Sequence, residues 1–323
     1  MKEENKKKHF SFIASKDDRI DKILASHINV SRNQIEKLIE KGFVKINDKV
    51  ATKTSQKAQI GDNISYCLPE VSQKEALDID FDVDIIYEDE FLMVINKPSG
   101  LVVHPAPSVK EPTLVDWLVK RGISLSTISG DERHGIVHRI DKDTTGALVI
   151  AKTNEAHEAL SAQLEDKTMG RYYLAIIDYP LKDNITVEEN IARNSTNRLK
   201  MAVVQSGRFA KSAFAKLCLG KNSVELIAAK LYTGRTHQIR VHLAHLGRHI
   251  LGDNLYGYRG KDMPRIFLHA RLIYFKHPAT NEIVEFEAPL FDDMKNFIDN
   301  NFEENCLGLI APTAIKGVFS ASY

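Results

Sequence analysis

The tightest constraint in this sequence is a stretch of charge held between two apolar runs. Ile136-Val137 and Leu148-Val149-Ile150-Ala151 read as buried strand, because short apolar runs of this kind fill sheet interiors. Between them stand Arg139, Asp141, Lys142 and Asp143, then Thr144-Thr145-Gly146, a turn that re-enters the second strand. Two buried flanks hold such a loop rigid, and rigid charged loops are what reactive sites need. The plainer reading is a surface loop with a structural Asp–Arg pair, and on one aspartate alone that reading is the stronger.

The surroundings predict an α+β domain over residues 81–300. Ile85-Ile86-Tyr87 and Leu92-Met93-Val94-Ile95 are strand-like runs around the turn Glu88-Asp89-Glu90. Val115 to Val119 suggests a short helix, and Ala156, Leu160 and Leu164 mark an amphipathic one. Tyr172 to Ile177 reads as strand, and Val203 to Leu231 as several. Residues 301–323 read as a C-terminal tail of uncertain order.

The 323 residues suffice for one large domain and a small one. An apolar share of 43% and a charged share of 27% are those of a soluble globular protein. No stretch approaches the ~18–20 apolar residues of a membrane span. The Lys-rich start, Met1 to His9, lacks the apolar core of an export signal. Cys67, Cys218 and Cys306 are scattered and unpaired by spacing, which fits a reducing compartment; the expectation is a cytoplasmic protein. The net charge of +1 hides an asymmetry: residues 1–65 hold 14 Lys and Arg against 9 Asp and Glu. Local positive potential, not the average, is what phosphate binding requires.

That basic front end predicts its own small unit over residues 9–68. Phe10, Phe12 and Ala14 alternate as in a strand, and Ile20, Ile23, Leu24 and Ile28 recur at helical spacing. Ser31 and Gln34 form a capping box for a second helix, whose apolar face is Ile35, Leu38 and Ile39 and whose exit is Gly42. Val44, Ile46 and Val50 then flank the turn Asn47-Asp48-Lys49. Arg32, Lys37, Lys41 and Lys45 suit a row of phosphates along one side, although charge alone also describes an ordinary solvated face. Residues 69–80, opening on Pro69, read as a linker.

A second segment with chemistry in it runs from Leu231 to Leu243. Gly234 breaks a strand, Thr236 is a suitable N-cap, and Ile239, Leu243 and Leu246 follow at helical spacing up to Gly247. Arg235 falls at the strand-to-helix junction, where it can hold a carboxylate or a phosphate. A zinc site from His237, His242, His245 and His249 is disfavoured: there is no His-Glu-x-x-His, and Gly247 interrupts before His249. No metal is expected.

Taken in order, these segments resemble known families. Arg19 to Leu24, Ser31 to Ile35 and Lys41 to Asn47 resemble the S4 RNA-binding domain. Val94 to Pro105, His134 to Gly146, Arg171 to Ala175, Thr233 to His242, Leu251-Gly252-Asp253 and Tyr256-Gly257 resemble the RluA-type pseudouridine synthases of the large ribosomal subunit. The similarity covers nearly the whole chain up to about residue 295; Ile140 and Ala147 are small departures from the pattern. The resemblance implies an S4-like α/β unit followed by a mixed, mainly antiparallel catalytic sheet. It also implies isomerisation of uridine in RNA by base flipping, with Asp141 as the essential carboxylate, nucleophile or base. Arg235 is expected to pair with Asp141, and Tyr173 to lie against the uracil, where a core aromatic is the plainer alternative. Arg139 is expected to fill the gap left by the flipped base, and Ile239 to wall the pocket. Lys97-Pro98 and His104-Pro105 are expected at its rim or in a structural role. Arg32 and Lys41 would grip RNA. No redox or group-transfer cofactor is implied. The expected partner is 23S rRNA or the pre-50S subunit, met by a monomer away from any membrane, with tRNA as the alternative. A non-enzymatic RNA binder leaves the second domain unexplained. A glycoside hydrolase would want a second carboxylate facing Asp141, for which Asp143 is the one obvious candidate.

Overall fold

In this computed structural model, residues 7–28, 32–69, 79–105, 109–123, 125–126, 135–303 and 306–320 are described. The first body comprises β1 (Lys7–Ile13), β2 (Asp18–Arg19), α1 (Ile20–His27), α2 (Arg32–Glu40), β3 (Val44–Ile46), β4 (Lys49–Val50), β5 (Lys57–Ala58) and β6 (Asn63–Pro69). Four of its strands pair in the order β1-β6-β3-β4. Helical spacing turns Ile20, Ile23 and Leu24 of α1 and Ile35, Leu38 and Ile39 of α2 onto one core with Val44 and Ile64. Asn47 and Asp48 join β3 to β4 with φ of 48° and 65°. A tight hairpin needs positive φ at both positions, and Asn and Asp tolerate it. The Asn47 side chain is fixed in turn, donating to Asp62 and accepting from the Asn63 amide. Lys41 and Lys45 are exposed. The Ser31–Gln34 capping box, the side chains of Arg32 and Lys37 and most of the expected linker lie outside the described residues.

The second body comprises β7 (Asp84–Glu88), β8 (Leu92–Lys97), α3 (Leu114–Lys120), β9 (Thr145–Ala151), α4 (Asn154–Glu165), β10 (Gly170–Ile177), β11 (Ile185–Arg193), β12 (Met201–Val203), β13 (Arg208–Leu219), β14 (Glu225–Leu231), α5 (Gln238–His245), β15 (Leu268–Lys276), β16 (Ile283–Glu287), α6 (Asp292–Asn301), α7 (Cys306–Leu309) and α8 (Pro312–Ser320). Its strands form one sheet in the order β12-β11-β13-β14-β10-β15-β9-β8-β7, with β16 also on β15. The fold is α+β, and the sheet is mixed but mainly antiparallel.

The single parallel pairing among the described residues joins β9 to β15 through His269↔Thr145 and Ala270↔Gly146. Gly146 sits there at φ 111°, and a Cβ on it would lie 2.3 Å from the Ala270 carbonyl oxygen. Gly146→Ala therefore has to push backbone against backbone at a left-handed position. We expect it to lower unfolding stability by about 2–4 kcal/mol, measured by denaturant titration; an unchanged midpoint would refute the close approach.

Strand β10 shows how the sheet sorts side chains. Its period of two sends Tyr172, Leu174 and Ile176 to a core with Phe267, Met294 and Ile298, and sends Tyr173, Ala175 and Ile177 to one with Phe214, Ile239 and Leu243. Residues past 300, expected to trail as a tail, are a correction: Cys306, Ile310, Ile315 and Phe319 are buried in the first of these cores. Phe319 lies 5.6 Å from Tyr172, ring centre to ring centre. The cysteines are a second correction. Cys218 and Cys306 form a disulfide across a Cα separation of 5.9 Å, tying α7 to β13, and Cys67 takes no part in a disulfide. The chain brings them together over a sequence separation of 88, a distance no spacing rule reads. No helix among the described residues is long and apolar enough to cross a membrane.

Candidate active site

Asp141 sits on the loop that feeds β9, and that loop is fastened from behind. Lys97, at the end of β8, is fully buried. Its Nζ donates to the carbonyls of Pro98 (2.7 Å), Leu101 (2.9 Å) and Lys142 (2.8 Å). The Lys142 carbonyl also accepts the Gly100 amide at 3.0 Å. Burial pulls the Lys97 ammonium down to about 7, against the raising pull of Asp143 and Asp141. The Lys97-Pro98 segment thus braces the Asp141 loop by a three-carbonyl clamp. Thr144 closes the turn by donating its amide to the Asp141 carbonyl at 3.1 Å.

The partner of the Asp141 carboxylate comes from α5, and it is Arg240. Arg240 Nη1 lies 3.3 Å from Asp141 Oδ2, with the arginine side chain 5% exposed and the aspartate 17%. Its Nε and Nη2 make a two-pronged contact with Asp253 at 2.7 and 2.9 Å. Burial lowers the Arg240 pKa, but the Asp253 hydrogen bonds together with the charges of Asp253 and Asp141 outweigh it and hold the guanidinium above its ordinary value. The expected pairing of Arg235 with Asp141 is therefore corrected. Arg235 Nε donates instead to the Phe209 carbonyl at 3.0 Å.

The reason is local. Thr236 does not cap the helix; α5 starts at Gln238 after His237, which takes a left-handed φ of 55°. Gln238 staples the turn to the sheet. Its Oε1 accepts from Thr233 Oγ1 (2.7 Å) and the Arg235 amide (2.9 Å), and its Nε2 donates to the Lys211 carbonyl (2.9 Å) and Ser212 Oγ (2.8 Å). The turn so fixed leaves Arg235 beside β13 and puts Arg240 on the inward face of the helix.

Asp141, Arg139, Tyr173, Arg235 and Ile239 all line one cavity, which is open to solvent and has a volume of about 70 Å³. Among the described residues, Lys41 does not line it, and the Arg32 side chain lies outside the described residues. Tyr173 is buried on the α5 face of β10; burial raises its phenol pKa, with Arg171 opposing and Asp141 adding to the rise. Ile239 is a buried apolar wall. Arg139 is exposed, with Nη1 3.4 Å from His104 Nε2.

Sequence reasoning missed four residues here. Arg240 and Asp253 are the buried ion pair just described. Arg171 shares the pocket face of β10 with Tyr173, and among the described residues its buried Nε has no hydrogen-bond partner. His237 contacts both Asp141, at 4.0 Å, and Tyr256, whose hydroxyl is 2.8 Å from Nδ1. Arg240 and Asp253 stand inside motifs already singled out, and the helix starts one residue later than a Thr236 cap implies.

The histidines once weighed for zinc go to separate partners: His242 to Ser212, His249 to Asp178 and His245 toward Glu189. Among the described residues, no three His, Cys, Asp or Glu side chains gather as a metal site.

With this geometry in hand, comparison with known proteins is direct. Residues 91–245 match the RNA pseudouridylate synthase family model, and residues 18–64 match the S4 domain. An RNA pseudouridine synthase of Helicobacter pylori strain J99 is 47% identical over 299 residues, covering 90% of this chain and 91% of its own length. A protein of Zymomonas mobilis, ribosomal large subunit pseudouridine synthase D, is 39% identical over 300 residues, covering 86% of this chain and 92% of its own. The solved human RNA pseudouridylate synthase domain containing 1 shares the fold, with a TM-score of 0.52 at 23% identity over 68% of this chain and 94% of its own. An S4 unit joined to a sheet domain of this kind defines an RNA-modifying enzyme. The chain belongs to the RNA pseudouridine synthase family, and it isomerises uridine to pseudouridine.

Proposed function

We propose that this enzyme modifies uridine in 23S rRNA of the large ribosomal subunit, with Asp141 as its essential carboxylate. The observation that carries the residue assignment is the ion-pair chain Asp141–Arg240–Asp253 at a cavity also lined by Tyr173. A carboxylate held by a buried guanidinium is oriented before substrate arrives, as catalysis by positioning requires. The substrate assignment is supported by the relatives' printed name, ribosomal large subunit pseudouridine synthase, and by the S4 domain.

The reaction rearranges one nucleoside and leaves its atoms in place overall, so no cofactor is called for. The uridine flips into the cavity at a cost of a few kcal/mol. Arg139, exposed at the mouth, fills the space the base vacates. Ile239 packs on the uracil, and Tyr173 lies against it, positioned to take up the proton lost from C5. Asp141 opens the reaction as nucleophile or base. Arg235, beside the mouth, faces the phosphates of the flipped strand. Arg32 and Lys41 of the S4 unit hold RNA away from the cavity, with residues 9–68 as the grip and the rest of the chain as the catalytic body. One chain supplies every group in this account, so the enzyme acts as a monomer, in the cytoplasm where ribosomes are assembled.

The test is a map of pseudouridine in RNA from cells with and without the protein. Loss of one or more 23S rRNA positions, restored by purified enzyme on the unmodified transcript, is the expected result. Loss confined to tRNA positions would overturn the substrate assignment.

A further inference from the structure

Every contact to the Asp141 carboxylate among the described residues converges on one of its oxygens. Arg240 Nη1 lies 3.3 Å from Oδ2, and His237 Nε2 lies 4.0 Å from the same Oδ2. Oδ1 is the oxygen left to meet substrate. His237 therefore bears on which way the carboxylate turns, and three features bear on His237. Its backbone is left-handed at φ 55°, a conformation uncommon outside glycine that surrounding structure must enforce. Its ring meets Tyr256 edge to face, with centroids 5.6 Å apart. And its Nδ1 lies 2.8 Å from the Tyr256 hydroxyl.

The direction of that last hydrogen bond follows from Tyr256's other partner. The Met201 amide, at the start of β12, donates to Tyr256 Oη at 2.7 Å. An amide can only donate, so the hydroxyl accepts there. Among the described residues, the one acceptor within reach of the phenolic proton is His237 Nδ1. Tyr256 thus donates to Nδ1, and a neutral His237 carries its proton on Nε2, the nitrogen that faces Asp141. Burial lowers the His237 pKa against the pull of Asp141, with Arg240, Asp253 and Arg139 as the other charges around it, and this keeps the ring neutral. Tyr256 is held from ionising by its own burial, its pKa pushed up to about 12. It also lies under the Arg240 guanidinium, 4.9 Å from ring centre to Cζ, so one tyrosine steadies both groups that face Oδ2.

We infer that Tyr256 and His237 are positioning residues for pseudouridine formation: a relay from the Met201 amide through Tyr256 fixes the Nε2–H form of His237, which, with Arg240, holds Asp141 Oδ2 and turns Oδ1 to the substrate. This rests on the assignment of Asp141 as the essential carboxylate.

Two measurements on the full-length protein test it. Nitrogen NMR of histidine-labelled protein reads the tautomer directly and needs no turnover. The expected result is His237 protonated at Nε2, shifting toward a tautomer mixture in Tyr256→Phe; protonation at Nδ1 in the wild type would overturn the relay. Steady-state kinetics supply the second. Tyr256→Phe is expected to lower kcat about tenfold, and His237→Leu about 30-fold or more, with KM within about twofold. His237→Gln keeps an N–H donor near Nε2 and is expected to recover most of the loss. If His237→Leu and Tyr256→Phe turn over at the wild-type rate, or if His237→Gln is as impaired as His237→Leu while equally folded, the inference fails. Failure of the Asp141 assignment is distinguishable, because Asp141→Asn would then stay active while the tautomer reading stood.

Discussion

Asp141→Asn is expected to give a folded protein that makes no measurable pseudouridine, a fall in kcat/KM of about 10³-fold or more. The substitution keeps the shape of the side chain and an oxygen for Arg240 to hold, so the loop braced by Lys97 has no reason to move. What it removes is the charge. Arg240 keeps its two-pronged contact with Asp253, so the buried guanidinium stays compensated and stability should change by less than about 2 kcal/mol. Pseudouridine is counted by nuclease digestion and chromatography of treated RNA, and folding by thermal melting. Wild-type turnover by the folded variant would remove Asp141 from the chemistry altogether.

Arg240→Met should be worse, because it fails in two ways. The guanidinium is the one group joining Asp141 to Asp253, and Asp253 is 1% exposed. A buried carboxylate left without its cation costs about 3–5 kcal/mol, or roughly 10 °C in Tm for a domain of this size. Activity should vanish too, since Asp141 loses the anchor that sets its direction. The double variant Arg240→Met with Asp253→Asn separates the two effects. It is expected to regain most of the stability and none of the activity. A double variant that regained activity with its fold would show that Arg240 serves only the fold.

How far the sequence foretold this site depends on the scale of the feature. The charged loop before β9 was legible because apolar residues flank it, although Ile136-Val137, expected as strand, forms only an isolated bridge from Ile136 to Ile150; the hairpin at Asn47-Asp48 was legible because positive φ selects those residue types. Periodicity of the same kind gave the helices of the first body and β7 to β10 of the second, but not β11, β15, β16 or α6. The Arg240 pairing was not legible, because it turned on a one-residue question: whether α5 begins after Thr236 or after a left-handed His237. Local propensity favours a threonine cap, and the Gln238 staple to β13 and to Thr233 overrides it. The end of the chain was misread for another reason. Ile315 and Phe319 have helical spacing, but α8 is short and its apolar face means little until Tyr172 is known to lie under it.

The two-residue parallel seam between β9 and β15 has a consequence for how the site can be taken apart. Asp141 hangs from the small half-sheet of β7, β8 and β9, whereas Tyr173 and Arg240 belong to the larger half. The reactive centre is thus shared property: neither half holds a complete set, and the halves are joined by the pairs Thr145–His269 and Gly146–Ala270, by the packing of Val94 and Val149 with Ile273 and Phe275 in one core, and by the His277–Asp89 ion pair. A substitution that parts the halves at this join would draw Asp141 away from Arg240 without altering either residue.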